Sequence, residues 1–295
     1  MNAGLVPRET GAPSNLRDMC RMYGIRFKKG LGQNLLLDDN INRIMTDAAD
    51  LGRADDVVEV GAGLGALTRR LGACAGRVLA VEIDASFMPC LEDQFRGSPH
   101  VKLFRGDILN HEIPRLLDEF LPGGRQYKMV SNLPYYITTP ILFQFLESPV
   151  PFSRIVVMMQ EEVGQRMVAP VNTPEYGVLG IAARLHAEID IVHRVPASCF
   201  VPRPKVDSCI VRLRRRTPAL NLGVESAFLM KVVRAAFQQR RKTLRNSLAG
   251  SAGFGAPKTA VFAAFEASGI DPGRRPQTLE IPELASLARE IQKRL

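Results

Sequence analysis

Four apolar runs, each giving way to a glycine or a polar residue, constrain this chain more than anything else in it. Val57-Val58-Glu59-Val60 leads to Gly61, Val78-Leu79-Ala80-Val81 to Glu82, Val101-Lys102-Leu103-Phe104-Arg105-Gly106 to Asp107, and Tyr127-Lys128-Met129-Val130 to Asn132. Runs of this length read as buried strands, and the stretches between them have room for a helix each. Alternating strands and helices imply a mostly parallel α/β sheet with right-handed crossovers. Gly61, Glu82, Asp107 and Asn132 then emerge along one carboxyl edge, which is where open α/β sheets bind ligands.

The residues at that edge suit a ligand with amino and hydroxyl groups. Gly61-Ala62-Gly63-Leu64-Gly65-Ala66 is a strand-to-helix glycine turn that lets a ligand approach the backbone, a loose match to the dinucleotide pattern. A carboxylate at Glu59 would repel a pyrophosphate and suit an amino group or a sulfonium. Glu82, 21 residues after Gly61, is placed for a ribose diol, and Asp107 could accept from an adenine amino group. In Asn132-Leu133-Pro134-Tyr135 the Asn amide oxygen accepts an N–H, Pro134 holds Leu133 out of the helical region so that a neighbouring carbonyl is aimed, and Tyr135 can stack on a base.

Charge divides the chain. Residues 1–210 carry 23 Lys+Arg against 24 Asp+Glu, whereas residues 211–295 carry 16 against 6. A neutral body with a basic end points to a polyanion met from one side. With 295 residues, two domains are expected, divided at Arg214-Arg215-Arg216-Thr217-Pro218: an α/β domain over 1–216, with 1–14 a loose extension, and a helical, basic domain over 217–295. Within the second, Val233, Phe237, Leu244 and Leu248 keep helical spacing on one face. Lys231, Arg234, Gln238, Arg241 and Arg245 fall on another. Lys231, Arg234, Arg240, Arg241, Lys242 and Arg245, with no acid among them, form the expected set for that polyanion; by charge alone RNA, DNA or an anionic membrane would each fit. Ile281–Leu295 reads as an amphipathic helix closing this domain.

Five cysteines without a Cys-x-x-Cys pair and four scattered histidines argue against a disulfide framework and a zinc site, so no metal is expected. No apolar run reaches the roughly 20 residues of a membrane span, and none near the N-terminus has signal-peptide length, so no membrane partner and a cytoplasmic location are expected. Monomer is the default oligomeric state. Between these landmarks lie a basic glycine loop over 26–34, a short helix over Asn15–Tyr23 that Ser14 could cap, a strand over Ile155–Met159 running into a helix from Gln160, a proline-stiffened loop over 195–208, and a final strand over Cys209–Leu213. Phe200, in that loop, could form a second aromatic wall.

Taken in order, these stretches resemble the ribosomal RNA adenine dimethyltransferase family from about Phe27 to the C-terminus. The resemblance rests on Gly32-Gln33-Asn34-Leu35-Leu36, Glu59-Val60-Gly61-Ala62-Gly63-Leu64-Gly65, Gly106-Asp107-Ile108, Asn132-Leu133-Pro134-Tyr135, the run from Phe200 to Ser208 and the run from Arg240 to Leu248. It implies a Rossmann-like S-adenosylmethionine-dependent methyltransferase sheet with a small C-terminal all-helical domain. The implied reaction is transfer of methyl groups to N6 of two adjacent adenosines near the 3′ end of small-subunit rRNA, within a pre-ribosomal small subunit, with S-adenosylhomocysteine as product. Asn34, Leu36, Gly61, Glu82, Asp107 and Asn132 would line the cofactor site, with Asn132, Leu133, Pro134, Tyr135 and Phe200 serving catalysis and Tyr135 and Phe200 sandwiching the target base. Leu35 and Tyr136 depart from the family's usual Phe and Asn. The alternatives are a large-subunit rRNA methyltransferase of the antibiotic-resistance type, a non-catalytic ribosome assembly factor, and, for the glycine turn alone, a nicotinamide-dependent oxidoreductase.

Overall fold

The computed structural model describes residues 16–28, 33–36, 38–124, 126–218, 220–249 and 255–295. The loose extension at 1–14, the Ser14 cap and the glycines of the 26–34 loop lie outside the described residues. Nine strands are present among those described: β1 (Leu35–Leu36), β2 (Asp55–Val60), β3 (Arg77–Glu82), β4 (Val101–Arg105), β5 (Gln126–Asn132), β6 (Phe152–Gln160), β7 (Ala187–Val195), β8 (Phe200–Val201) and β9 (Ser208–Arg215). Seven form one sheet in the order β4-β3-β2-β5-β6-β9-β7. The first five are parallel, and β9 runs antiparallel between β6 and β7. The sheet reverses its order between β2 and β5, so Gly61 and Asn132 lie side by side at the switch point where such sheets bind ligands.

The helices are α1 (Leu16–Met22), α2 (Asp39–Ala49), α3 (Ala66–Cys74), α4 (Met88–Phe95), α5 (Ile113–Phe120), α6 (Thr138–Leu146), α7 (Glu161–Val168) and α8 (Val178–His186), then α9 (Ser226–Phe237), α10 (Leu244–Ala249), α11 (Lys258–Ser268) and α12 (Ile281–Gln292). Helices α2, α3 and α4 cover one face of the sheet with a core that includes Met45, Leu71 and Leu91. Helices α5 and α6 cover the other with Leu117 and Phe145. Each face buries apolar side chains of β2 and β3, which is why those strands are apolar without alternation. At the amino edge the buried acids are paired: Asp55 with Lys128 at 2.8 Å, Asp56 with Arg77 at 2.6 Å. No helix among the described residues is long and apolar enough to cross a membrane.

After Arg216 the chain leaves the sheet for a layer of helices. Its core joins Leu229, Val233, Phe237 and Leu284 to Tyr176, Ile181 and Leu185 of the α8 region, so the helical layer is seated on the sheet part through one continuous apolar cluster. The 231–248 stretch differs from a single helix. Val233, Phe237, Leu244 and Leu248 are all buried as their spacing predicts, but α9 ends at Phe237 and α10 begins at Leu244. The intervening turn is held from outside: Arg240 donates to the Pro174 and Tyr176 carbonyls, and the Leu244 and Arg245 N–H groups donate to the Arg274 and Pro272 carbonyls.

Candidate active site

A cavity of about 560 Å³ opens at the carboxyl edge, within the range of small-molecule sites. Its floor is the glycine turn after β2. Gly61 and Gly63 have φ of +83° and +56°, and a Cβ on Gly63 would stand 3.1 Å from Leu35 Cδ2. Only glycine takes this shape without strain while leaving the backbone open to a ligand. One wall is Glu82, Ile83 and Phe87, another is Asn132 to Tyr135, and the N-terminal segment Gln33 to Leu36 closes the top.

Two buried acids face this cavity, and among the described residues neither is paired with a cation. Glu59, wholly buried, accepts the Thr68 hydroxyl at 2.6 Å; burial, with Glu82 nearby, pushes its carboxyl up to about 8. Glu82 accepts the Gly63 and Asp84 N–H groups, each at 2.8 Å, so it braces the glycine turn against β3; burial raises its carboxyl as well. Kept as carboxylates, two such acids would be costly to bury unless a ligand supplied positive charge and donors. Asp84, just beyond, is buried yet ionised: burial opposes this, but hydrogen bonds from Lys28, Ser86 and Gln33 hold it down to about 2. Those bonds hold Lys28 and Gln33 against the end of β3, a brace the sequence reading missed although Asp84 stands two residues after Glu82.

The Asn132 segment is held rigidly. The Leu133 N–H donates to the Met158 carbonyl at 3.2 Å, and beneath it the Ser131 hydroxyl accepts the Val60 N–H at 2.9 Å. The Pro134 carbonyl accepts both the Ile137 N–H and the Thr138 hydroxyl, at 3.2 and 2.9 Å. Both its lone pairs are engaged, so of the two carbonyls considered as a second acceptor beside Asn132, Leu133 is the one the geometry favours. Tyr135 is on the cavity wall, its hydroxyl 2.6 Å from that of Ser208.

Asn34, Leu36, Gly61, Glu82, Asn132, Leu133, Pro134 and Tyr135 thus share one cavity. Two expected residues stand differently. Asp107 is off the wall, because its carboxylate caps its own turn, accepting the Leu109 N–H at 3.0 Å and Asn110 Nδ2 at 3.4 Å. Phe200 is no aromatic wall in this conformation: it is 2 % exposed and packed in the core, where the antiparallel pairing of β8 with β1 sets it opposite Leu36. In the helical layer Lys231, Arg234, Arg240, Arg241, Lys242 and Arg245 are all exposed. Arg240 is engaged with the Pro174 and Tyr176 carbonyls, and Arg245 lies 5.0 Å above the Phe262 ring, so these two also serve the fold.

The strand order, the glycine turn and the cavity at the switch point define a Rossmann-like α/β fold with a ligand site at its carboxyl edge. Residues 24–292 match the family profile described as Ribosomal RNA adenine dimethylase. The chain is 40% identical over 285 residues to the Ribosomal RNA small subunit methyltransferase A of Bacillus mycoides, covering 96% of this chain and 98% of that protein; the enzyme of the same name from Bacillus anthracis matches equally. Among solved structures, a dimethyladenosine transferase from Plasmodium falciparum superimposes with a TM-score of 0.75 at 24% identity, over 88% of this chain and 98% of that one. The 23S rRNA methyltransferase ErmE gives 0.64 at 28% identity, over 88% and 100%. The chain belongs to the ribosomal RNA adenine dimethylase family.

Proposed function

We propose that this protein, as a monomer in the cytoplasm, methylates N6 of two adjacent adenosines near the 3′ end of small-subunit rRNA within a pre-ribosomal particle, giving N6,N6-dimethyladenosine. The observation that carries the reading is the Asn132-Leu133-Pro134-Tyr135 segment over a cavity whose buried acids lack cations among the described residues. The choice of small-subunit rRNA rests on the curated relatives named for it at 40% identity.

The residues present fit S-adenosylmethionine, which supplies an electrophilic methyl on a sulfonium. Glu82 would take a ribose hydroxyl with the lone pairs its backbone donors leave open. Asp107, though capping its turn, keeps lone pairs for an adenine amino group, and Glu59 meets the positive end. The nucleophile is the harder half, since the adenine N6 lone pair is delocalised into the ring. Asn132 Oδ1 and the Leu133 carbonyl would accept the two N–H bonds and draw that lone pair towards the methyl, so positioning and electrostatics do the work. Tyr135 stacks on the base, offsetting the few kcal/mol of taking it out of its stack. The proton becomes acidic only after transfer, so no strong general base is required.

Asn132→Ala tests this reading. Transfer should be abolished while affinity for the RNA, measured by filter binding, stays within about twofold. Transfer at a wild-type rate in that variant would sink the assignment.

A further inference from the structure

The loop ending in Pro204-Lys205-Val206-Asp207-Ser208 stands outside the cavity wall, yet its last residue touches Tyr135, the aromatic that the Asn132 segment places on that wall. Ser208 is fully buried and its hydroxyl lies 2.6 Å from that of Tyr135. It opens β9, opposite Gln160 of β6 and Val195 of β7, so the sheet on both sides fixes its backbone. The residue before it is anchored too: Asp207 accepts the Ala197 N–H on its carboxylate at 2.8 Å and the Glu161 N–H on its carbonyl at 3.0 Å.

Strand β6 is the common reference for both halves of this pair. Asn132 lies opposite Met158, whose carbonyl also takes the Leu133 N–H, and Ser208 lies opposite Gln160 two residues further along. A Tyr ring on a turn after a strand is otherwise free to swing about two side-chain torsions, and a stacking partner must be held to about half an ångström to place a reacting nitrogen. The hydroxyl pairing removes that freedom at the far end of the ring.

We propose that Ser208 is a positioning residue that locks the Tyr135 ring against the target base, so that N6 is held in line beside Asn132. This rests on the reading that Tyr135 stacks on that base. Ser208 never meets the base; it acts through the ring.

The test is a double-mutant cycle on Ser208→Ala and Tyr135→Phe, with kcat and the KM values for cofactor and RNA measured separately. In parallel, an RNA carrying 2-aminopurine at the target position reports stacking by its fluorescence. Each single variant should lose about tenfold in kcat with KM values within about twofold, and the double variant should lose no more than either single one. The fluorescence response should change in both. An unchanged kcat in Tyr135→Phe, or a double variant whose loss is the product of the single losses, overturns the proposal even where Ser208→Ala folds poorly. Tyr135→Ala separates the two layers. If it alters kcat and fluorescence while Ser208→Ala and Tyr135→Phe do not, the lock is refuted and the stacking reading stands. If Tyr135→Ala changes neither, the stacking reading falls, and the lock with it.

Discussion

Cofactor binding should release a proton, and Glu59 should be its source. Burial holds the Glu59 carboxyl at about 8, so at neutral pH it is mostly protonated. A sulfonium and an ammonium brought into the cavity favour the carboxylate and return its pKa towards the ordinary 4.5. Affinity then rises with pH, because the proton lost on binding is already gone. Taking 8 and 4.5 as the two values, S-adenosylmethionine should bind roughly twentyfold more tightly at pH 7.5 than at pH 6, about 1.8 kcal/mol. Titration calorimetry at about pH 6.5 in buffers of different ionisation enthalpy should count close to one proton released per cofactor. Glu59→Gln keeps the shape and can still accept the Thr68 hydroxyl but cannot ionise, so the pH dependence should flatten. A proton count near zero in the wild type, or an equal count in Glu59→Gln, would refute the reasoning.

The same group makes the ligand-free fold prefer acid: the folded protein keeps a proton that the unfolded chain gives up near 4.5, so stability should fall as pH rises from about 4.5 through about 8. Thermal melting of the ligand-free protein across that window should show the decline, and Glu59→Gln should lessen it. Lys128→Ala leaves the buried Asp55 carboxylate without its cation and should cost about 3–5 kcal/mol in urea unfolding. Arg241→Ala with Lys242→Ala should weaken RNA binding and lower its salt slope by about 0.7–0.9 for each phosphate no longer neutralised, with melting unchanged. Arg240→Ala should also lower stability, by about 1 kcal/mol, because it holds the Pro174 and Tyr176 carbonyls. Gly63→Ala puts a Cβ at positive φ against Leu35, so calorimetry should show weaker cofactor binding at a stability cost of about 1 kcal/mol.

The carboxyl edge was legible because its signals are local. A buried parallel strand needs an unbroken apolar run, a strand-to-helix turn under a ligand needs glycine, and both are written in consecutive residues around Gly61 and Asn132. Strand β7 was missed because it lies at the sheet's edge, where Glu188, Ile189, Asp190 and Ile191 alternate; that alternation was the signal available. The break between α9 and α10 has no Gly or Pro to announce it. It is imposed by partners distant in sequence, Pro174, Tyr176, Pro272 and Arg274, which take the donors of Arg240, Leu244 and Arg245. Phe200 shows the same limit. Its residue type suits a site, but the pairing of β8 with β1 decides where its side chain goes.

The most direct test of the central claim is to incubate the protein with labelled S-adenosylmethionine and, separately, unmethylated small subunits, large subunits and naked rRNA, then digest and identify the modified nucleosides by mass. N6,N6-dimethyladenosine confined to the small-subunit sample is the expected result. Label in large-subunit rRNA, or tight particle binding without any label, would contradict it.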